Sequence, residues 1–285
     1  MILITGATGN LGSSVIEQLN KITTKDQFIA TSSSDKGVHS LREKGFQSRK
    51  ADFNEIDTLR DAFDGVEKIV LISTMEQNRF EQHKNVIDIA KEKGVKHIVY
   101  TSLAIKDIET SAVKELMISH FQTEDYLKQS GLTFTILRNT MYADALLQIL
   151  GQNALKQNIS LPGGNGKVPY ALRKEMGEAI ANLLVQKGHE NKVYNITGSQ
   201  SYSYEEIAKE LSNITNTTID YISIEEPDFV KTLQEIGFPE FAIYLHAGTI
   251  KDIKNKQYEI EDQSLETLLG RPTATLQEFI KELFL

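Results

Sequence analysis

No cysteine occurs in the 285 residues, which excludes a disulfide framework and any thiolate chemistry. An excess of basic residues is missing too. With 31 Lys and Arg against 39 Asp and Glu, the formal charge is −8. That is the wrong sign for a phosphate backbone, so nucleic acid is not an expected partner. No apolar run approaches bilayer length, and no basic-plus-apolar leader precedes the first apolar segment. A soluble, cytoplasmic chain with no membrane partner is therefore expected. The histidines, at 39, 83, 97, 120, 189 and 246, form no pair at ligand spacing, and no His-Glu-x-x-His occurs, so no metal site is expected. Heptads, short repeats and low-complexity stretches are absent as well.

What is present is enough apolar sequence, 40%, for a large core in one domain or in a large domain with a smaller companion. The chain is organised around Ile2-Leu3-Ile4-Thr5-Gly6-Ala7-Thr8-Gly9-Asn10-Leu11-Gly12. A short apolar strand runs into three glycines, and Leu11 to Leu19 then reads as a helix. Such a turn leaves backbone N–H groups unpaired at the helix start, where the helix dipole also favours a pyrophosphate. Gly6 permits the sharp turn, Gly9 lets phosphates approach the backbone, and Gly12 lets the helix pack closely on its strand. The same glycines also serve ordinary tight turns, so the motif depends on its context at the first strand of an α/β pattern.

That pattern continues. Residues 28–31, 46–51, 68–72, 97–101 and 133–137 read as strands, separated by helical segments over 36–44, 55–63, 79–93 and 112–129. Near-continuous apolar strands fit a parallel sheet covered on both faces, and right-handed crossovers make it doubly wound. The expected fold is therefore α/β, a doubly wound parallel sheet of Rossmann type, with a smaller mixed α+β C-terminal domain. Residues 1–138 plus about 168–198 form the dinucleotide-binding domain in this reading. Residues 139–167 plus about 199–285 form the substrate-side domain, with the cleft between them as the place for a small molecule. Within this second part, 141–150 and 174–186 read as helices, 159–166 as a strand and turn, and 193–196 as a returning strand. From Ser203 onward the reading is helical with one short strand at 219–222.

Several segments together resemble one family. They are Gly6–Gly12, Lys50-Ala51-Asp52-Phe53, Leu71-Ile72-Ser73, Gly94–Ser102, Gly131–Asn139 and, late in the chain, Lys187–Tyr194. The chain is similar to the NmrA-like branch of the atypical short-chain dehydrogenase/reductases. Its likeness is strongest to the group of bacterial type 2 quinone oxidoreductases and triphenylmethane reductases. The resemblance implies a bound dinucleotide with its pyrophosphate over Gly6, Thr8, Gly9, Asn10, Leu11 and Gly12. It also places Asp52 and Phe53 beside the adenine, and Ile72, Ser73 and Thr74 along the path to the nicotinamide. Thr101, Ser102 and Asn139 would lie near its ribose and ring. A strand-end turn for Asp52 and satisfied loop hydroxyls for Ser73 and Ser102 are the purely structural alternatives.

An acidic residue at the end of the second strand would bind the ribose hydroxyls and select NAD. Here Thr31-Ser32-Ser33-Ser34-Asp35-Lys36 stands instead, with no carboxylate at the strand end itself. Ser33 and Ser34 can donate hydrogen bonds and Lys36 can supply charge, which favours NADPH, with NADH the alternative. The resembling reductases usually carry an arginine where Ser33 stands, and its absence counts against NADPH; the structural alternative is a plain polar turn with Asp35 and Lys36 solvated.

Ordinary short-chain dehydrogenases hold a Tyr-x-x-x-Lys pair on the helix after the fifth strand, the lysine lowering the tyrosine's pKa. In this chain the frame falls on Leu116 and His120, with Glu124 one turn further on the same face. Leucine has no proton to give. The one Tyr-x-x-x-Lys that does occur, Tyr170 to Lys174, lies at a later strand-to-helix junction and is read as coincidence. His120 has two open roles, a ribose contact or proton donor titrating near neutral pH, and a histidine satisfied on a buried helix. His83 and His97 are read as structural, and Glu124 as a hydrogen-bonding residue. Met141 and Tyr142 either line a pocket for an aromatic ring or pack into the core.

A missing acid bears on the reaction. A ketone needs a positioned proton donor, whereas a quinone accepting hydride becomes a phenolate-like oxygen that water can protonate. A cationic triarylmethane dye accepts hydride at carbon and needs no proton at all. The expectation is an NAD(P)H-dependent oxidoreductase whose partner is a small quinone-like or dye-like acceptor. The rivals are a non-catalytic NAD(P)-sensing regulator and, ranked last, a nucleotide-sugar epimerase. Oligomeric state is not legible.

Overall fold

Hydrophobic strands too short to be amphipathic helices alternate with helices of mixed face from the first residue onward. The computed structural model describes residues 1–151 and 153–285. In chain order the first elements are β1 (Ile2–Ile4), α1 (Asn10–Ile22), β2 (Phe28–Ser32), α2 (Asp35–Glu43) and β3 (Ser48–Lys50). Next come α3 (Ile56–Ala62), β4 (Lys68–Leu71), α4 (Arg79–Glu92), β5 (His97–Leu103), α5 (Lys114–Gln129) and β6 (Thr133–Asn139). Then follow α6 (Leu146–Leu150), β7 (Ile159–Leu161), β8 (Lys167–Val168), α7 (Arg173–Val185) and β9 (Lys192–Ile196). The remainder is β10 (Tyr202–Ser203), α8 (Tyr204–Thr215), β11 (Tyr221–Ser223), α9 (Glu226–Glu235), α10 (Glu240–Lys254), α11 (Ser264–Leu269) and α12 (Leu276–Phe284).

Seven strands form one sheet in the order β3-β2-β1-β4-β5-β6-β9, and every pairing from β3 to β6 is parallel. The fold is a doubly wound, Rossmann-like sheet, as expected. The order reverses between β1 and β4, which makes the carboxyl ends of those two strands the switch point where ligands bind in such sheets.

The chain divides into two compact units. One comprises Met1–Leu103, Ile118–Asn139 and Arg173–Asn195; the other comprises Ala104–Met117, Thr140–Leu172 and Ile196–Leu285. In the first unit Leu3, Ile29, Leu59, Phe63, Ile69, Ile98 and Tyr100 are buried in a common core with α3 and α4 residues. Burial of such side chains is worth about 1.5–3 kcal/mol each and is what holds the strand ends in fixed relation. In the second unit β10 pairs antiparallel with β8, and β11 pairs parallel with β7. Capping boxes at Ser203–Glu206 and Thr275–Glu278 start α8 and α12.

One expected element differs. Residues 141–150 are not a single helix: Tyr142 bridges to Ala171, a 3-10 turn follows at Ala143–Ala145, and only Leu146–Leu150 is α-helical. Pairing with the distant Ala171 takes the backbone that the apolar periodicity assigned to a first helical turn.

Candidate active site

The glycine turn follows β1. Gly6 takes φ +57°, a conformation that favours glycine, and the Ala7 N–H donates to Thr31 O at 2.9 Å, tying the turn to the end of β2. Helix α1 begins with Gly9 as its N-cap, no side chain capping it and no acidic residue in its first turn. The first intrahelical bond runs from Ser13 N–H to Gly9 O, so the N–H groups of Asn10, Leu11 and Gly12 precede it. A Cβ on Gly12 would meet Gly6 O at 2.2 Å and Ala7 Cα at 2.8 Å. Its closeness is thus to the turn itself, where the sequence had pointed to the strand. Thr8, Gly9 and Asn10 are exposed, while Leu11 and Gly12 are buried.

Across the switch point, the segment after β4 is held at three successive residues. Thr5 Oγ1, fully buried, donates to Val70 O at 3.0 Å and accepts from Ile72 N–H at 2.9 Å. The Ser73 N–H donates to Thr101 Oγ1 at 3.0 Å, and Thr74 Oγ1 donates to Gln82 Oε1 at 2.7 Å. The fully buried Arg79, at the start of α4, donates to Thr74 O and, at 2.9 Å, to Ser119 Oγ. Arg79 and Gln82 were not singled out in the sequence. A charged residue at the first position of a helix carries no signal of where its side chain folds back.

At the ends of β5 and β6, Leu103 and Asn139 are register partners, and Asn139 is buried. Ser102 Oγ donates to Glu124 Oε1 at 2.7 Å, so its proton is committed to a buried carboxylate. Glu124 also takes a two-pronged contact from Arg138, at 2.8 and 2.6 Å, and lies 3.3 Å from Lys128. Burial alone would raise its pKa, but the hydrogen bonds from Arg138 and Ser102 outweigh that, and the carboxyl titrates below its ordinary value. Glu124 is the hydrogen-bonding residue expected of it.

His120 lies on α5 and is buried. Burial, reinforced by the Arg79 charge and by His83, pushes its pKa well below the ordinary value, and its Nδ1 lies 2.9 Å from Tyr100 OH. That shift holds the imidazole toward its neutral form. His83 is likewise neutral, its pKa pushed down to about 3 by burial and by Arg79, with Nδ1 3.0 Å from Thr123 Oγ1. His97 bonds Thr135 through Nε2 at 2.8 Å, so the structural reading of both holds. Tyr170 is buried and its phenol pushed up, and it lies in the chain before α7 rather than on a helix with Lys174.

On the adenosine side, Ser34 is the N-cap of α2, its Oγ accepting from Gly37 N–H at 3.1 Å. Ser33, Asp35 and Lys36 are exposed. Asp52 closes an Asx turn by accepting from Asn54 N–H at 2.9 Å, which is the strand-end role. The Phe53 ring is turned into the core against His83, with centroids 6.3 Å apart, and its carbonyl accepts from Asn85 at 2.9 Å. In the second unit Tyr142 and Met141 are both half-buried. Among the described residues no group of three or more His, Asp or Glu is placed to hold a metal ion, and no helix is long and apolar enough to cross a membrane.

The profile of the NmrA-like family matches residues 1–280. The chain is 35% identical over 287 residues to quinone oxidoreductase 2 of Escherichia coli (strain K12), covering 100% of this chain and 99% of that one. The crystal structure of the Escherichia coli NADPH-dependent quinone oxidoreductase complexed with NADPH superimposes with a TM-score of 0.92, covering 100% of both chains. The triphenylmethane reductase of Citrobacter sp. complexed with NADP(H) also superimposes at 0.92, with 30% identity and 99% coverage of each chain.

Proposed function

The chain belongs to the NmrA-like family, and from that premise we propose that it is an NADPH-dependent oxidoreductase delivering hydride to a quinone-like or dye-like small molecule. One observation of its own structure carries the reading: the helix face that holds an acid in ordinary short-chain dehydrogenases holds the buried Leu116 and a neutral His120. No proton donor stands there, so the acceptor must be one that manages its own protons.

The residues fit the cofactor. A Cβ at Gly12 would fill the turn, and α1 starts without a capping side chain or a carboxylate, which suits a pyrophosphate on the N–H groups of Asn10, Leu11 and Gly12. When bound, NADPH supplies the hydride from its nicotinamide ring. What the protein adds is placement. Thr5, Thr101, Gln82 and Arg79 fix Ile72, Ser73 and Thr74 along the proposed path to that ring, and Asn139 closes the end of β6. Ser33, Ser34 and Lys36 are proposed beside the adenosine 2′ position, Asp52 and the Phe53 backbone beside the adenine, and Tyr142 against the flat acceptor. Ser102 acts through Glu124, and His120 through Tyr100, as supports. Steady-state assays with NADPH and NADH against a panel of quinones and a cationic triarylmethane dye test the proposal. Turnover of the dye and of quinones, with no ketone reduced, is expected. Tight NADPH binding with no acceptor turned over would replace it with a sensing role.

A further inference from the structure

Strand register puts a cation at the end of β3, opposite the end of β2, where the residue string alone does not show one. Ser32 and Lys50 are Cα partners at the carboxyl ends of the parallel strands β2 and β3, so their side chains leave the sheet on the same face. Ser32 identifies that face: a Cβ on Gly37, in the first turn of α2, would meet Ser32 Oγ at 2.0 Å. Lys50 is therefore on the side of the sheet where the Ser33-Ser34-Asp35 turn begins α2. Its Nζ lies 3.0 Å from Glu55 Oε2, its side chain is 33% exposed, and Asp35 and Asp52 are the other charges that face it.

We propose that Lys50 is the residue that selects NADPH, leaving Glu55 to bind the 2′-phosphate of the adenosine ribose. The inference rests on the reading that the glycine turn holds the dinucleotide, which brings its ribose to the end of β2. A phosphate offers more charge and more acceptor oxygens than one carboxylate, so it displaces Glu55 from the ammonium. Until then, Glu55 keeps Lys50 at the strand end. Lys36, the other cation nearby, is exposed in the first turn of α2, where a positive charge opposes the helix dipole. Glu55 is thus an internal competitor, and removing it should tighten NADPH.

Fluorescence titration of the full chain with NADPH and NADH, with adenosine 2′,5′-bisphosphate and 5′-AMP as competing fragments, tests this. Lys50→Ala is expected to weaken NADPH and the bisphosphate by about ten-fold while NADH and 5′-AMP stay within about two-fold. Glu55→Gln is expected to tighten NADPH, and Lys36→Ala, which also removes a charge near the 2′ position, to weaken it by less than Lys50→Ala does. The proposal is overturned if Lys36→Ala takes the ten-fold loss, if Lys50→Ala weakens both dinucleotides equally, or if it weakens neither. A parent chain that binds neither dinucleotide would overturn this and the cofactor reading together; one that binds both, with Lys50→Ala neutral, overturns the Lys50 role alone.

Discussion

Gly9 and Gly12 sit three residues apart in one turn, yet the space around them differs. At Gly12 an added Cβ would meet Gly6 O at 2.2 Å and the carbonyl carbon of Gly6 at 2.7 Å, all backbone. Neither neighbour is the end of a flexible side chain, so the turn itself must move. At Gly9 the nearest atom is Gly6 O at 3.3 Å, and the position is exposed. Gly12→Ala should therefore cost about 1–3 kcal/mol of stability and weaken NADPH by at least about ten-fold, because displaced N–H groups no longer converge on a phosphate. Gly9→Ala should fold with less than about 1 kcal/mol lost and still weaken the cofactor. Urea unfolding and NADPH titration read the two effects separately. A Gly12→Ala chain that binds NADPH like its parent would show that the turn is only a turn.

Helix α5 shows what holds an element in place and how much of that the sequence discloses. Within the second unit, its start is capped from a distance: Asp252, fully buried on α10, accepts from Ser111 Oγ at 2.5 Å and from Ala112 N–H at 2.8 Å. One turn earlier on the same face of α10 stands Gly248, where a Cβ would meet Val113 Cγ1 at 2.7 Å. Asp252→Ala leaves one buried and one half-buried donor unpaired and should cost about 1–3 kcal/mol, with Asp252→Asn intermediate because an amide oxygen still accepts. Unfolding curves in urea measure this, and a loss under about 0.5 kcal/mol for Asp252→Ala would rule the cap out. None of this was legible beforehand, since Ser111 and Asp252 are 141 residues apart. The strands were legible, because β1, β2, β4, β5 and β6 are apolar runs bounded by turns, whose burial follows from composition alone. The two-residue pair of β8 with β10 left no pattern to read, and Tyr142 read as helical because its partner Ala171 is invisible at short range. For the site the same division holds. Strand-end positions follow from the sheet, but whether His120 is charged depends on burial, Arg79 and His83, which only the packed core brings together.

For the molecule as a whole, those buried histidines set how stability responds to pH. The formal charge of −8 at neutral pH and a pI near 5.4 mean that acidification toward pH 5 removes net self-repulsion, which by itself favours the folded state. Against this stand groups whose folded pKa is depressed: His83 at about 3, His120 well below its ordinary value, and His97 lowered, with burial the largest cause in each. Below about pH 6.5 an unfolded chain takes up these protons and the folded chain does not, so stability falls as pH falls. By pH 5, His83 alone removes about 2 kcal/mol, at about 1.4 kcal/mol per pH unit below its unfolded value, and His120 shifts stability in the same direction. Salt screens the dispersed surface charges, whereas imidazoles inside the first unit are screened far less, so the buried term should win. Glu124 acts in a separate window, because its stabilisation is complete above about pH 4.5 and is lost only as pH drops through its lowered folded pKa. Urea unfolding at pH 7.5 and pH 5.0 is therefore expected to show a lower free energy at pH 5.0. His83→Leu should flatten the slope between them by about 2 kcal/mol even if it shifts both values. A parent chain equally stable at the two pH values would mean that these imidazoles take up protons without leaving the core.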